Sequence, residues 1–212
     1  MAGTSTATMT EKRPAMKLTV GAQYICFDTM DDSGNWTDKF DANVIKLPTV
    51  SQVDISDDAD AHSTYASGDL YDSGTDISSV TIKTTNVAFD DLTVEKMKGS
   101  DIDGGAVLSG GVTRRPYFAY GIVSEKKDGT LDLRWYPKCK LADQSDKTST
   151  SADKWSDQTD DLTITAYGFD AAKHKCVRCL TSDASTKGVT EDKFFAAPVL
   201  TAAAVKALAP TT

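Results

Sequence analysis

Two runs of alternating apolar and polar residues flank a short turn near the middle of the chain. They constrain the fold more than any other part of the sequence. The runs are Tyr117–Glu125 and Thr130–Lys140, and the turn between them ends in Asp128 and Gly129. An Asp-Gly pair between two such runs is a strong β-hairpin signal, because both residues accept the backbone angles of a tight turn. The sequence therefore predicts two antiparallel strands here.

The choice of acidic residues extends the β prediction to the rest of the chain. Of 31 acidic residues, four are Glu and the rest are Asp. Glu favours helices, whereas Asp favours turns, caps and loops. We therefore predict a mainly β fold, a sandwich or partly open barrel of about eight strands with one short flanking helix and long polar loops.

Other strand and turn patterns predict the order of the remaining elements. A short helix should follow Asp90-Asp91 and end at Gly99, because lysines occupy its last turn. Residues 142–160 read as a polar loop. Further strands are predicted at Lys17–Thr29, Val50–Ile55, Ile77–Ala88, Leu162–Phe169 and Cys176–Leu180, the last two as a possible pair.

These elements divide the chain into three parts. Residues 1–16 are predicted to be a flexible arm, residues 17–189 a β-rich domain, and residues 190–212 an Ala-rich tail. The tail could hold a short helix or wrap around a neighbouring subunit.

Residues 56–76 form the most polar stretch and are predicted to be a loop. No Lys or Arg occurs between Lys46 and Lys83. Loops of this length are uncommon in compact domains and are often functional. The same interval carries seven aspartates: Asp54, Asp57, Asp58, Asp60, Asp69, Asp72 and Asp76.

Composition and motifs argue against several classes of function. No apolar run approaches the roughly 18 residues of a membrane span, and no secretory signal is apparent. A net charge of −8 disfavours a protein that binds nucleic-acid grooves. The two histidines, His62 and His174, have no nucleophile elbow near them, and no phosphate-binding loop occurs. We therefore expect no enzyme, no catalytic residue and no cofactor.

Two metal sites remain as disfavoured alternatives. A zinc site would use Cys139, His174, Cys176 and Cys179, but no second paired-ligand motif supports it. Asp57, Asp58 and Asp60 lack the glycine and distal glutamate of a calcium loop. The cysteines are better explained as small apolar residues on strands, so no metal is expected.

One segment resembles a known family. Residues 111–129, GVTRRPYFAYGIVSEKKDG, and the return strand 131–141, LDLRWYPKCKL, resemble the major tail proteins of long-tailed phages of Gram-positive hosts. The opening strand, the acidic stretch and the short helix follow a similar order. The resemblance covers roughly residues 17–182 and rests on strand and turn patterns. The Ala-rich tail does not match.

This resemblance implies a tail-tube-type β-sandwich or barrel and a structural role in the virion. Such subunits form hexameric rings that stack into a hollow tube around a tape-measure protein, and DNA later passes through the bore without specific binding. Tail terminator and distal tail proteins would contact the tube ends. The resemblance also implies assembly in the host cytoplasm, a final location in the virion tail and no membrane partner.

The resemblance also gives the candidate residues their roles. The seven aspartates are candidates to contact a neighbouring ring or to face the lumen. Residues 56–76 are expected to become ordered only when one ring contacts the next. Trp36 and Trp155 could contact a neighbouring subunit or anchor loops in the core. Roles in hairpin packing or at an interface are expected for Tyr117, Phe118, Asp128, Gly129, Trp135 and Tyr136.

Three rival functions stay open at this point. The first is a tube subunit of a contractile particle or of a phage-tail-like bacteriocin. The second is a secreted or surface carbohydrate-binding β-sandwich, which would favour an exposed aromatic platform. The third is a small calcium- or zinc-dependent enzyme, which the motifs above disfavour.

Overall fold

A computed structural model describes residues 9, 11–111, 114–145 and 159–210. The protein is mainly β, with 49% strand and 10% helix, which confirms the predicted fold class. The described part of the chain contains no helix long and apolar enough to cross a membrane.

Ten strands and three short helices follow one another along the described chain. The helices are α1 (Asp91–Lys98), α2 (Glu191–Phe194) and α3 (Ala202–Ala207). The strands are β1 (Lys17–Phe27), β2 (Ile45–Leu47), β3 (Val50–Ala66), β4 (Asp69–Asn86), β5 (Asp101–Asp103), β6 (Ala106–Leu108), β7 (Phe118–Lys126), β8 (Leu131–Ser145), β9 (Asp160–Ala166) and β10 (Val177–Leu180).

Eight of these strands form one antiparallel sheet in the order β2-β1-β7-β8-β9-β4-β3, with β10 beside β8. The first half of β8 pairs with β10 and the second half with β9, so β8 runs through both halves of the sheet. Strands β5 and β6 form a separate small hairpin. The predicted pairing of Cys176–Leu180 with the preceding strand is wrong, because β10 pairs with β8.

The large sheet curls into a partly open barrel. Five strand spacings separate β1 from β3, which would be about 24 Å in a flat sheet. Their Cα atoms nevertheless come within 8 Å of one another. The inner face encloses an apolar core in which Ile25 of β1 and Ile82 of β4 belong to one cluster, and Val94 and Met97 of α1 join it.

In the described part of the chain, the C-terminal segment covers the outer face on the β1-β7-β8 side. There Trp135 and Tyr24 form a second core with Phe194 and Phe195 of the C-terminal segment. The Trp135 indole N–H donates to the carbonyl of Phe194 at 3.0 Å, and the Tyr24 ring stacks on Phe195 with a 3.9 Å centroid distance. A Cβ at Gly121 would lie 2.6 Å from the Phe195 ring, so glycine permits this close approach. Residues 190–210 thus pack on the sheet of their own chain.

The C-terminal segment is also held by a polar contact. The Tyr24 hydroxyl donates to the Glu191 carboxylate, and Lys46 Nζ lies 2.9 Å from the same group. Burial of the phenol, together with the Glu191 hydrogen bond, raises the pKa of Tyr24 to about 12. The hydroxyl therefore stays a donor at neutral pH.

The predicted helix after Asp90 is confirmed as α1. The Asp90 carboxylate accepts from the backbone N–H of Thr93 at 2.8 Å, and Gly99 ends the helix with φ of 78°. This is an ordinary N-cap with a left-handed C-terminal glycine. The predicted hairpin at the chain's centre is confirmed as β7 and β8, with Gly129 at φ of 77° in its turn.

The predicted loop over residues 56–76 is wrong, because these residues belong to β3 and β4. Ser67 and Gly68 form a two-residue turn with φ of 54° and 89°, which suits a tight hairpin. The strands predicted at Val50–Ile55 and Ile77–Ala88 are the inner ends of a much longer hairpin. Of the second predicted loop, residues 142–145 extend β8, and residues 146–158, with Trp155, lie outside the described residues.

Candidate interaction surfaces

The most prominent surface is the outer part of the β3–β4 hairpin, residues 57–79, which we call the ribbon. Strand β9 pairs with β4 only from Val80 to Asn86, so the ribbon lies beyond the last described neighbour of β4. Strand β3 has β4 as its one ladder partner among the described strands. All ribbon residues except Gly74 and Ser79 are exposed. Apart from Asp57 at its base, which borders a cleft, no described strand or helix covers the edges or faces of this two-stranded segment.

Side-chain contacts between the two strands of the ribbon match their pairing register. The His62 ring lies across the strand from Gly74, where a Cβ would be 2.8 Å from the imidazole. The Asp58 carboxylate accepts from the hydroxyls of Ser79 at 2.6 Å and Thr81 at 3.0 Å. These hydrogen bonds lower the pKa of Asp58, so it stays ionised at neutral pH.

The ribbon tip carries exposed apolar side chains. Tyr65, Leu70 and Tyr71 are 68%, 56% and 77% exposed. Tyr65 and Leu70 are directly opposite each other, and Tyr71 is the extra residue at the register shift beside this pair. The tip therefore presents three large apolar side chains to solvent.

The seven aspartates occupy one hairpin but different environments. Asp54 lies at the inner end of β3 and accepts from the Gln52 amide at 2.9 Å. Asp57 and Asp54 line a cleft of about 590 Å³ with Lys17, Arg134 and Arg178. Asp57 and Asp58 lie at the base of the ribbon, and the aspartates at positions 60, 69, 72 and 76 lie farther along it.

The cleft contains a buried charge cluster. Asp132 is fully buried, and its carboxylate accepts two hydrogen bonds from Arg178 at 2.6 Å and two from Arg134 at 2.7 and 3.3 Å. Burial opposes ionisation of this carboxyl, but the two guanidinium groups outweigh it and hold the pKa of Asp132 at about 2. The contact of Arg178 with Asp132 joins β10 to β8, so this cluster has a structural role.

A group of cations and aromatic rings forms a second surface near the middle of β8. We call it the cation–aromatic patch and define it as Trp36, Arg115, Tyr117, Lys138 and Lys140. Lys140 Nζ lies 4.1 Å from the Tyr117 ring centre, and Lys138 Nζ lies 5.5 Å from that ring and 5.1 Å from the Trp36 ring. One Arg115 nitrogen donates to the carbonyls of Leu141 and Ala142 at 2.6 and 2.7 Å. No carboxylate within the described residues pairs with these three cations.

The remaining hairpin candidates lie in or beside the core. Phe118, Trp135 and Tyr136 are buried, while Tyr117 lies under the lysines of the cation–aromatic patch. The Asp128 carboxylate accepts from the backbone N–H of Thr130 at 3.0 Å and stabilises the turn at Gly129. Trp36 is partly buried and packs against the outer core.

The third surface is the outer face of β4 and β9. The inward positions of these strands are buried, and all but Thr84 and Asn86 are apolar. The alternate residues therefore face outward: Thr81, Lys83, Thr85, Thr163 and Thr165. Cross-strand pairs align Thr81 with Thr165 and Lys83 with Thr163. The C-terminal segment does not extend over this polar face, which we call the threonine face.

The cysteines do not converge on a metal site. Cys139 packs in the inner core, whereas Cys179 packs in the outer core on the opposite side of the sheet. Across the described ranges, no group of three or more His, Cys, Asp or Glu side chains is placed to hold a metal ion. The proposed calcium ligands lie within extended strand β3, where successive side chains point to opposite faces; they are Asp57, Asp58 and Asp60.

Neither a protein-family model nor a curated protein matches the sequence.

Proposed function

We propose that this protein is a structural virion protein, the major tail tube subunit of a long-tailed phage. In this proposal it assembles into hexameric rings that stack into the hollow tube through which DNA is delivered. The ribbon is the observation that carries the proposal. The sequence resemblance between residues 111 and 141 supplies the family, and three physical features of the structure support it.

The ribbon supports self-assembly because it adds little to the stability of an isolated subunit. A two-stranded hairpin without a third strand or a packed face is marginally stable in water. Open strand edges are also templates for pairing with another chain, which proteins normally cover or block. Among the described strands, β3 has no ladder partner on its outer edge, and the hairpin ends in exposed apolar side chains at Tyr65, Leu70 and Tyr71. A neighbouring subunit would cover these groups.

The threonine face supports a tube wall. The second half of β8 with β9, β4 and β3 gives four adjacent strands whose outward side chains are polar on β4 and β9. Six copies would provide 24 strands, or about 115 Å of circumference at a spacing of about 4.8 Å. With tilted strands this corresponds to a barrel roughly 45 Å across, which leaves an open bore.

The net charge fits transit of DNA without binding. Six copies at −8 each give a ring with a formal charge of −48. A surface of this sign repels phosphate and keeps the nucleic acid from adhering to the wall. The proposal places a tape-measure protein in the bore during assembly and terminator and distal tail proteins at the tube ends.

Shortening the ribbon tests the proposal. Ala61 and Thr75 are directly paired, so replacing residues 62–74 by Asn-Gly closes a shorter hairpin with a suitable two-residue turn. We expect the free energy of unfolding to change by less than about 1 kcal/mol, because the removed residues are almost all exposed. Tube formation, measured by negative-stain electron microscopy across protein concentration, should be lost.

Wild-type protein with and without EDTA serves as the control. Rings or hollow tubes that persist in EDTA would support a tube subunit without a structural metal. Tubes of normal length from the shortened protein would show that the ribbon is not an assembly element. If wild-type protein gives no rings or tubes at any concentration while binding a glycan, the carbohydrate-binding alternative replaces the proposal.

A further inference from the structure

We propose that the cation–aromatic patch of one copy receives the acidic ribbon of a second copy. This inference rests on the proposed function, because it names the surface that covers the ribbon in the assembly. It follows from the charges, contacts and spacing of the two surfaces.

The ribbon needs a cationic partner that its own chain does not provide. Asp60 and Asp76 are directly opposite each other in the ladder. Like charges at directly opposed positions destabilise a strand pair. No described cation pairs with either carboxylate, and no Lys or Arg lies between Lys46 and Lys83. Asp69 and Asp72 extend this negative charge to the tip, so a partner that covers the tip should bring positive charge there.

The cation–aromatic patch offers that charge. Arg115, Lys138 and Lys140 are unpaired with any described carboxylate in a protein whose net charge is −8. The aromatic rings beneath the lysines hold the ammonium groups at the surface and leave their N–H donors available. Arg115 uses one nitrogen for two backbone carbonyls, and a guanidinium has further donors for a carboxylate. The rings also suit the apolar tip of the ribbon.

The spacing of the two surfaces fits a head-to-tail arrangement. Lys140 is level with Thr165 and Thr81, next to the base of the ribbon. From Val80 the ribbon extends to its turn at Gly68, a contour length of about 40 Å at about 3.3 Å per residue. A copy displaced by that length along the strands presents its patch at the tip of the first ribbon. Such a contact is heterologous and repeats without closing, as a stacked tube requires.

A second basic region fits the ribbon less well. Lys17, Lys126 and Lys127 lie close together at the start of β1 and the end of β7. Lys17 already faces Asp54 and Asp57 of its own chain across the cleft, and Asp128 lies in the same turn as Lys127. This region is therefore the matched control.

The test reverses charge on the proposed receptor. We expect K138E/K140E to raise the protein concentration needed for tube growth at least tenfold in sedimentation and electron microscopy. The control K126E/K127E carries the same change of net charge and should assemble like wild type. The exposed ribbon variant D69K/D72K, at the tip, should also lose assembly, which keeps the test decisive if K138E/K140E fails to fold.

Two combinations make the assignment specific. Joining D69K/D72K with K138E/K140E in one chain should restore tubes, because the charges again complement each other. Mixing the shortened-ribbon protein with K138E/K140E should give a complex with both proteins in equal amounts, since one supplies the patch and the other the ribbon.

The outcomes separate this inference from the proposed function. If wild type forms tubes and K138E/K140E matches the K126E/K127E control, the receptor assignment is overturned while the tube function stands. If the two mixed variants form an equimolar complex but wild type forms no hollow tube, the docking holds and the tube function falls. Absence of both the complex and the rescue overturns the docking.

Discussion

Replacing Trp135 by alanine is expected to lower the free energy of unfolding by about 3–5 kcal/mol. The indole is fully buried, lies edge-on to Phe195 with 5.1 Å between ring centres, and donates its N–H to the Phe194 carbonyl. Removing it creates a cavity and leaves that carbonyl without its donor. Urea denaturation followed by far-ultraviolet circular dichroism measures the loss.

The same change should loosen the C-terminal segment before the rest of the protein unfolds. Hydrogen exchange of the backbone amides between residues 190 and 210 should accelerate more than exchange in β7. Trp135→Phe keeps an aromatic ring but loses the N–H donor and part of the indole volume, so it should cost less than the alanine variant. Equal exchange rates in the C-terminal segment of wild type and alanine variant would contradict this packing model.

Asp132→Asn is expected to destabilise the protein by about 3 kcal/mol at neutral pH. The change removes the only carboxylate that pairs with Arg134 among the described residues, and the Arg134 side chain is only 16% exposed. A buried guanidinium without its counter-ion costs several kcal/mol. The exposed Asp143 on the same strand provides the control, since Asp143→Asn should change stability by less than about 0.5 kcal/mol.

The pH dependence gives the second readout for Asp132. Its folded pKa of about 2 lies below the ordinary value of 3.8. Its contribution to stability is therefore fully present above about pH 5 and is lost as the pH falls through 2. This linkage is worth about 2 kcal/mol. The stability difference between wild type and Asp132→Asn should shrink by that amount between pH 5 and pH 2. A constant difference would contradict the pKa assignment.

The elements predicted correctly have local signals that agree with their packing. In the β7–β8 hairpin, the alternation of apolar side chains, the Asp128-Gly129 turn and burial of Trp135 all specify the same arrangement. Helix α1 was predictable because Asp90 and Gly99 mark its ends in the sequence. In these segments tertiary contacts reinforce the local preferences.

The ribbon was mispredicted because its residues have little strand propensity. Aspartate, serine, alanine and glycine dominate it, and none of them is favoured in strands. The one usable signal was Ser67-Gly68, a turn pair between segments that can pair in register. The cation–aromatic patch could not be found from sequence, because Trp36, Arg115 and Lys140 meet only after the sheet has formed.

Because the ribbon contains no lysine or arginine, it differs in its susceptibility to different proteases. Trypsin cleaves after lysine and arginine, and neither residue occurs between Lys46 and Lys83. The most protruding part of the described protein therefore offers trypsin no site, although exposed loop tips are usually the first places to be cut. Chymotrypsin, which prefers large apolar residues, meets Tyr65, Leu70 and Tyr71 at the tip. Cleavage by chymotrypsin at the tip therefore distinguishes an open tip from a covered one. Trypsin, which has no site in the ribbon, serves as the control.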